Sequence, residues 1–311
     1  MVRNKFRSAI SKKKIYKDVN SRETLIVFDG TPSGAFLLNQ INDALKQITY
    51  KRLMVKPTVL VLVSVMEDAE INLVMNRVKE IKEELLESVS WIVAHVACSI
   101  YKERLNLEES KCNGIEKISE YKKLLKSCSV TTYRKEIERI LKEKCIQNIA
   151  TSTGISKCMV SDDFDDLGRL SLDQMCLGRG GSTSTLVAVT DKRPGIMLIR
   201  PLCDLSKKEI AIYNHLYGID NQCIQIKLPD SEEKSVQRLT DSFIRTLENE
   251  MFYSTISTVL STVAKIHNTT SGKENSRCPL CQIETSSSVC TPCSEIRKSC
   301  TSDIIDRFFI V

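Results

Sequence analysis

The sequence predicts an α/β fold, a doubly wound parallel sheet with helices on both faces, followed by a small cysteine-rich tail. Three observations carry this expectation. Short apolar runs alternate with amphipathic segments along residues 21–267. The first of those runs passes into a small-residue turn that opens a helix. Near the C-terminus, four cysteines fall in two Cys-x2-Cys pairs.

Taken in order, the chain begins with a basic segment, residues 1–20, in which Arg3, Lys5, Arg7, Lys12, Lys13, Lys14 and Lys17 precede any acid. Such an arm suits a polyphosphate partner such as RNA, and a solvated terminus accounts for it nearly as well. Leu25–Phe28 reads as a buried strand and Ala35–Gln47 as the helix after it. Pro57 precedes a second strand, Val59–Val65. Ile71, Val74, Met75, Val78, Ile81 and Leu85 form a stripe of helical period over Ala69–Leu86. Trp91–Cys98 is a third strand, while residues 100–130 are charged, mostly helical, and have no evident place on the sheet. Helices follow at Glu116–Ser127 and Tyr133–Gln147, then a strand at Cys158–Val160, a helix at Leu167–Leu177, a strand at Met197–Ile199, and a helix from Lys207 towards Gly218. Beyond Asn268 a polar linker leads into the tail, which gives three regions: 1–20, 21–267 and 268–311.

Composition is that of a soluble globular chain, with 42% hydrophobic and 27% charged residues and a net charge of +6. No run approaches the ~18 apolar residues of a membrane span, and no apolar signal region opens the sequence, so an intracellular protein without a membrane partner is expected. In that setting thirteen cysteines read as free thiols and metal ligands rather than disulfides.

Cys278-Pro-Leu-Cys281 and Cys290-Thr-Pro-Cys293 lie eight residues apart. Each pair forms a turn presenting two thiolates, and two turns complete a tetrahedral S4 site, so structural zinc is expected at Cys278, Cys281, Cys290 and Cys293. The polar segment between the pairs is too short for a core and would be ordered mainly by the metal. Four thiolates leave no open coordination position, and Cys300 is spare.

Asp29-Gly-Thr-Pro-Ser-Gly34 lies where ligands of doubly wound sheets bind, outside a strand's C-terminal end, with a helix N-terminus aimed at it. A plain strand-turn-helix without ligand explains the same residues. Asp162 and its neighbours in Ser161–Asp166 could hold magnesium, although acids also suit a helix N-terminus. Arg179, in a glycine-flanked loop, and Arg200, at a strand end beside Pro201, are candidate phosphate contacts, and each could equally be an ion-pair partner. His95, His215 and His267 belong to no ligand pattern.

The turn resembles the phosphate loop of PP-loop pyrophosphatases, whose working form is Ser-Gly-Gly-x-Asp-Ser. Asp29 stands at the first serine, Thr31 at the second glycine, Ser33 at the aspartate and Gly34 at the last serine, with Gly30 retained. A carboxylate facing polyphosphate repels it, and a β-branched residue crowds a glycine position. ATP binding is therefore doubtful, and Asp29, Gly30, Thr31, Ser33, Gly34 and Asp162 read as a vestigial nucleotide site.

Lys5-Phe-Arg7, Ser156-Lys157, Leu177-Gly-Arg-Gly180, Arg200-Pro-Leu-x-Asp204, Lys208-Glu-Ile-Ala-x-Tyr-Asn214 and Ser235–Lys265 together resemble the cytoplasmic tRNA 2-thiolation protein 2 family. The resemblance spans nearly the whole chain, and Arg200–Asn214 is its most specific part. It lacks the cysteine cluster that usually precedes Lys-Phe-Arg, and its middle is shorter. The resemblance implies a cytoplasmic, non-catalytic subunit that pairs with a catalytic PP-loop paralogue. The complex would bind tRNA and thiolate wobble uridine in tRNAs for lysine, glutamate and glutamine, with sulfur from a thiocarboxylated ubiquitin-like carrier. Lys12, Lys13, Lys14, Arg179 and Arg200 would then contact RNA. Thiolases of this kind carry a cysteine trio; here the corresponding places hold Cys128-Ser-Val-Thr131, with one thiol gone, and Cys223 in an altered setting. Two alternatives stand beside this reading: an active ATP-dependent tRNA sulfurtransferase, and a zinc-ribbon interaction scaffold without an RNA role.

Overall fold

A computed structural model describes residues 2–12, 15–16, 22–47, 55–224, 234–266 and 276–309. The chain divides into two compact units. The first comprises Met1–Ile118, Lys144–Phe164 and Gly195–Leu228; the second comprises Ser119–Glu143, Asp165–Pro194 and Pro229–Val311.

Strands β1 (Glu23–Phe28), β2 (Lys56–Val63), β3 (Ser90–His95), β4 (Cys112–Asn113), β5 (Lys157–Met159), β6 (Thr190–Arg193) and β7 (Ile196–Ile199) form one sheet in the order β4-β3-β2-β1-β5-β7-β6. The pairs β1–β2, β2–β3, β3–β4, β1–β5 and β5–β7 are all parallel. Central strands buried on both faces require continuous apolar runs, and Leu25, Ile26, Phe28, Val59 and Leu60 are buried. In register, Ile26 lies opposite Val59 and Val27 opposite Leu60.

The first unit also carries helices. They are α1 (Val2–Lys12), α2 (Pro32–Lys46) and α3 (Asp68–Glu84), with part of α5 (Thr131–Thr153), and later α8 (Lys207–Leu216). In α3 the residues Ile71, Val74, Val78 and Ile81 face inward, as the stripe requires. Helix α2 starts at Pro32, three residues before the expected Ala35, because Thr31 caps it and proline suits the first helical position. Strand β3 stops at His95 instead of reaching Cys98. The His95 Nδ1 accepts from the Ala97 N–H (3.0 Å) and starts a 3-10 turn over Val96–Ile100, and His95 Nε2 bonds Val65 O (2.9 Å). Residues expected off the sheet contribute its edge, since Cys112 and Asn113 pair with Val93 and Ala94.

The basic segment is a docked helix over Val2–Lys12. Phe6, Ala9 and Ile10 are buried, so α1 is held by an apolar stripe that its lysines obscure in the sequence. Lys5 Nζ bonds both carboxylate oxygens of Glu209 (2.7 and 2.8 Å), and Arg3 reaches Tyr213 Oη (2.8 Å) and Asp43 (3.0 Å). Lys13 and Lys14 lie outside the described residues, as does most of the linker after Asn268.

The second unit is built from α4 (Ile118–Ser127), the remainder of α5, α6 (Phe164–Cys176), α7 (Thr183–Leu186), α9 (Val236–Asn249), α10 (Tyr253–Val263) and the tail. Ser235 caps α9 by accepting from the Arg238 N–H (3.1 Å). In the tail, the antiparallel pair β8 (Ser276–Arg277) and β9 (Glu284–Thr285) is followed by α11 (Thr291–Ser299) and α12 (Asp303–Asp306). Among the described residues, no helix is long and apolar enough to cross a membrane.

Candidate functional site

The turn after β1 is closed by its own side chains. Gly30 has φ +79°, a left-handed conformation for which glycine is suited. The space beside it is already taken, because a Cβ on Gly30 would lie 2.9 Å from the Ile224 Cβ, and the Ile224 N–H donates to Gly30 O (2.9 Å). Asp29 Oδ1 accepts from the Thr31 N–H (3.2 Å) and from the Thr31 hydroxyl (2.6 Å). Thr31 Oγ1 in turn accepts from the Gly34 N–H (3.1 Å), and Ser33 Oγ donates to the buried Asp163 Oδ2 (2.8 Å). Backbone donors at Thr31 and Gly34 that an anion would seek at this helix N-terminus are thus bound to side-chain oxygens, and Asp29 places a carboxylate at the mouth.

Asp162 and Asp163 leave β5 for different partners. Arg200 Nε donates to Asp162 Oδ2 (2.9 Å), whereas Asp163 receives Ser33. Among the described residues, the groups able to converge on a metal ion include the four tail cysteines and none of these aspartates. Lys157 extends the core beside them. Its Nζ donates to Ile15 O (3.0 Å) and lies 4.8 Å from the centre of the Tyr16 ring.

The two arginines expected at phosphate have internal destinations instead. Arg200 is 1% exposed and pairs with Asp162; Arg179 is 4% exposed and pairs with Glu136. A guanidinium with that burial and those partners balances charge inside the fold, the ion-pair alternative that the sequence left open for each arginine. Around Arg179 the second unit contains a buried polar chain. Arg139 Nη2 and Nε reach the two oxygens of Glu136 (2.8 and 3.0 Å), Gln174 Nε2 donates to the same carboxylate (3.1 Å), and Arg179 Nη1 donates to Gln174 Oε1 (2.7 Å). Burial pushes the Glu136 carboxyl up, and Arg139 and Arg179 outweigh it, holding the group at about 2.

The far end of that chain is the cysteine tail. Arg179 Nη2 donates to Cys293 Sγ (3.2 Å). Cys278, Cys281, Cys290 and Cys293 are all buried, with their sulfur atoms within 4.8 Å of one another. Cys281 Sγ and Cys290 Sγ are 3.6 Å apart, far beyond a disulfide bond and close to the ~3.8 Å edge of a tetrahedron of sulfurs on one ion at ~2.3 Å. The first pair is presented by the turn between β8 and β9, where the Cys278 N–H bonds Ile283 O (3.0 Å) and the Gln282 N–H bonds Cys278 O (2.7 Å). Cys290 caps α11 and Cys293 occupies its first turn, while Arg193 Nη1 holds Cys281 O (2.7 Å). The donor set therefore fits a single metal ion.

The remaining cysteines of interest are Cys128, buried in the second unit, and Cys223, half-buried in the first. Cys128 forms a backbone bridge with Cys300, whose thiol is pushed up to about 12 by burial and by Cys128. Sequence reasoning missed Glu136 and Gln174, which carry no motif; their role depends on packing across tens of residues of chain.

A family profile described as cytoplasmic tRNA 2-thiolation protein 2 matches residues 235–306. The protein of that name from Caenorhabditis elegans is 67% identical over 309 residues, which cover 99% of this chain and 88% of the relative. Its counterpart from Caenorhabditis briggsae is 64% identical over 304 residues, covering 98% and 87%. Among solved structures, the U34-tRNA thiolase NcsA from Methanococcus maripaludis, determined with its 4Fe–4S cluster, matches with a TM-score of 0.59 and 12% identity over 95% of this chain and 87% of the other. At that identity the likeness is one of fold. The buried parallel sheet, the strand–turn–helix at Asp29–Gly34, the four-cysteine tail and the near full-length identity with two relatives place this chain in the cytoplasmic tRNA 2-thiolation protein 2 family.

Proposed function

We propose that this chain is the non-catalytic subunit of a cytoplasmic tRNA 2-thiolation complex acting on wobble uridine. It pairs with a catalytic PP-loop paralogue, which adenylates the base and receives sulfur from a ubiquitin-like carrier. Family membership supports the pathway. The observation that carries the non-catalytic role is the turn after β1, where Asp29 and Thr31 bind the N–H groups of Thr31 and Gly34 and Ile224 packs against Gly30. A polyphosphate entering there would have to displace three internal hydrogen bonds and meet a carboxylate. RNA contact falls to the Lys12–Lys14 run.

The tail holds zinc in a structural role. The sulfur atoms lie within 4.8 Å of one another, which suits one ion, whereas the corner ligands of a four-iron cube stand farther apart. Zinc bound there would tie the β8–β9 turn to the start of α11, and four thiolates would leave it no position for substrate.

The deciding experiment is tRNA thiolation in vitro with this chain alone, its paralogue alone, and both together, each with ATP and a sulfur donor. Activity confined to the mixture is expected. Thiolation by this chain alone would overturn the proposal and return Asp29–Gly34 to a catalytic role.

A further inference from the structure

We propose that Arg179 is the charge-balancing and sulfur-orienting residue of the four-cysteine metal site, acting through Cys293. The inference rests on the reading of the tail as a metal centre. Its starting point is electrostatic. A divalent ion with four thiolates carries a net charge of −2, and these cysteines are buried, so a nearby cation is needed to offset desolvation. The guanidinium of Arg179 is 4% exposed and its Nη2 lies 3.2 Å from Cys293 Sγ.

The backbone explains how the arginine comes to point there. Helix α6 ends at Cys176, Gly178 follows with φ +86°, and the Arg179 N–H bonds Gln174 O (2.8 Å). That six-to-one bond around a left-handed glycine closes a helix in the Schellman manner and reverses the chain, so that Arg179 returns towards the unit's interior. The Leu-Gly-Arg-Gly order therefore has a physical reading: the glycine makes the turn that delivers the guanidinium.

From the other side the guanidinium is held by Glu136 and by Gln174 Oε1 (2.7 Å), and Glu136 is itself clamped by Arg139. Arg179 thus reaches the sulfur in a fixed orientation, and little side-chain freedom remains to be lost when metal binds. An N–H donated to a metal-bound thiolate reduces that sulfur's donation to the ion, and outer-shell partners of this kind typically change metal affinity about 10- to 100-fold.

The test uses the full chain with zinc, and with cobalt(II) exchanged for zinc as a spectroscopic probe. Arg179→Met alone leaves the Glu136 carboxylate buried beside one arginine fewer, so the decisive variant is the pair Glu136→Gln with Arg179→Met, which removes that charge. Glu136→Gln alone keeps the bond to Cys293 and serves as the control. The double variant is expected to lose zinc to a competing chelator at roughly 10- to 100-fold lower chelator concentration than the control. Its sulfur-to-cobalt charge-transfer band is expected to move to lower energy while the tetrahedral d–d bands persist, a shift that loss of packing alone does not produce. Equal zinc retention and an unmoved band in the double variant and the control would overturn the role of Arg179. A wild-type chain that takes up neither zinc nor cobalt would overturn the metal reading itself, and the proposal with it.

Discussion

At the scale of single residues, the buried ions decide more than the exposed ones. Glu136 titrates at about 2 in the folded chain, below its ordinary 4.5, because Arg139 and Arg179 overcome the effect of burial. A carboxyl depressed on folding contributes stability that is complete above its unfolded value and is lost as pH falls through the folded one. Urea midpoints are therefore expected to stay level from neutral pH to about 5 and to drop between about 4.5 and 2, and Glu136→Gln should flatten that drop. Arg200 is a second case. Its side chain is 2% exposed while that of Asp162 is 40% exposed, so removal of the arginine chiefly empties buried volume. Arg200→Ala is expected to cost about 2–4 kcal/mol in denaturant unfolding, and a variant as stable as wild type would contradict the structural role assigned here. Neither destination was legible in the sequence. Asp162 and Glu136 precede their arginines by 38 and 43 residues, and only the fold brings them together.

At the scale of elements, the sequence was most readable where a single local force dominates. Strands β1, β2 and β3 are continuous apolar runs, and α3 is a clean helical stripe, so burial alone identifies them. The two Cys-x2-Cys turns were equally plain because thiolate geometry sets their spacing. Boundaries moved where one side chain captures a backbone group, as Thr31 does at α2 and His95 does at the end of β3. Helix α1 was hidden because its buried Phe6, Ala9 and Ile10 are interleaved with basic residues. The turn after β1 was legible as a strand–turn–helix, yet the residue packed against it, Ile224, lies nearly two hundred positions later. Gly30→Ala is expected to cost about 1–3 kcal/mol, since it adds a side chain at positive φ. Adding Ile224→Ala should return the steric part of that cost while leaving the conformational part. Thermal unfolding of the single and double variants checks this, and strictly additive losses would show that the two residues do not press on each other.

For the whole molecule, the family assignment and the parallel sheet agree, and the charge pattern needs care. Because α1 is docked on α8 through Lys5–Glu209 and Arg3–Tyr213, deleting residues 1–12 is expected to destabilise the first unit as well as any RNA contact. Charge reversal at Lys12–Lys14 changes charge without deleting the helix. It should weaken tRNA binding by the complex and reduce the slope of log affinity against log salt by roughly one per lost phosphate contact; an unchanged slope would remove RNA contact from this segment. The interlocked turn also resists stepwise change. Replacing Asp29 with serine strips Thr31 of its acceptor, replacing Thr31 uncaps α2, and trimming Ile224 opens a gap over Gly30. Each such change costs stability before any ligand could bind to compensate. A path of single substitutions from this turn to an open anion site therefore descends before it rises.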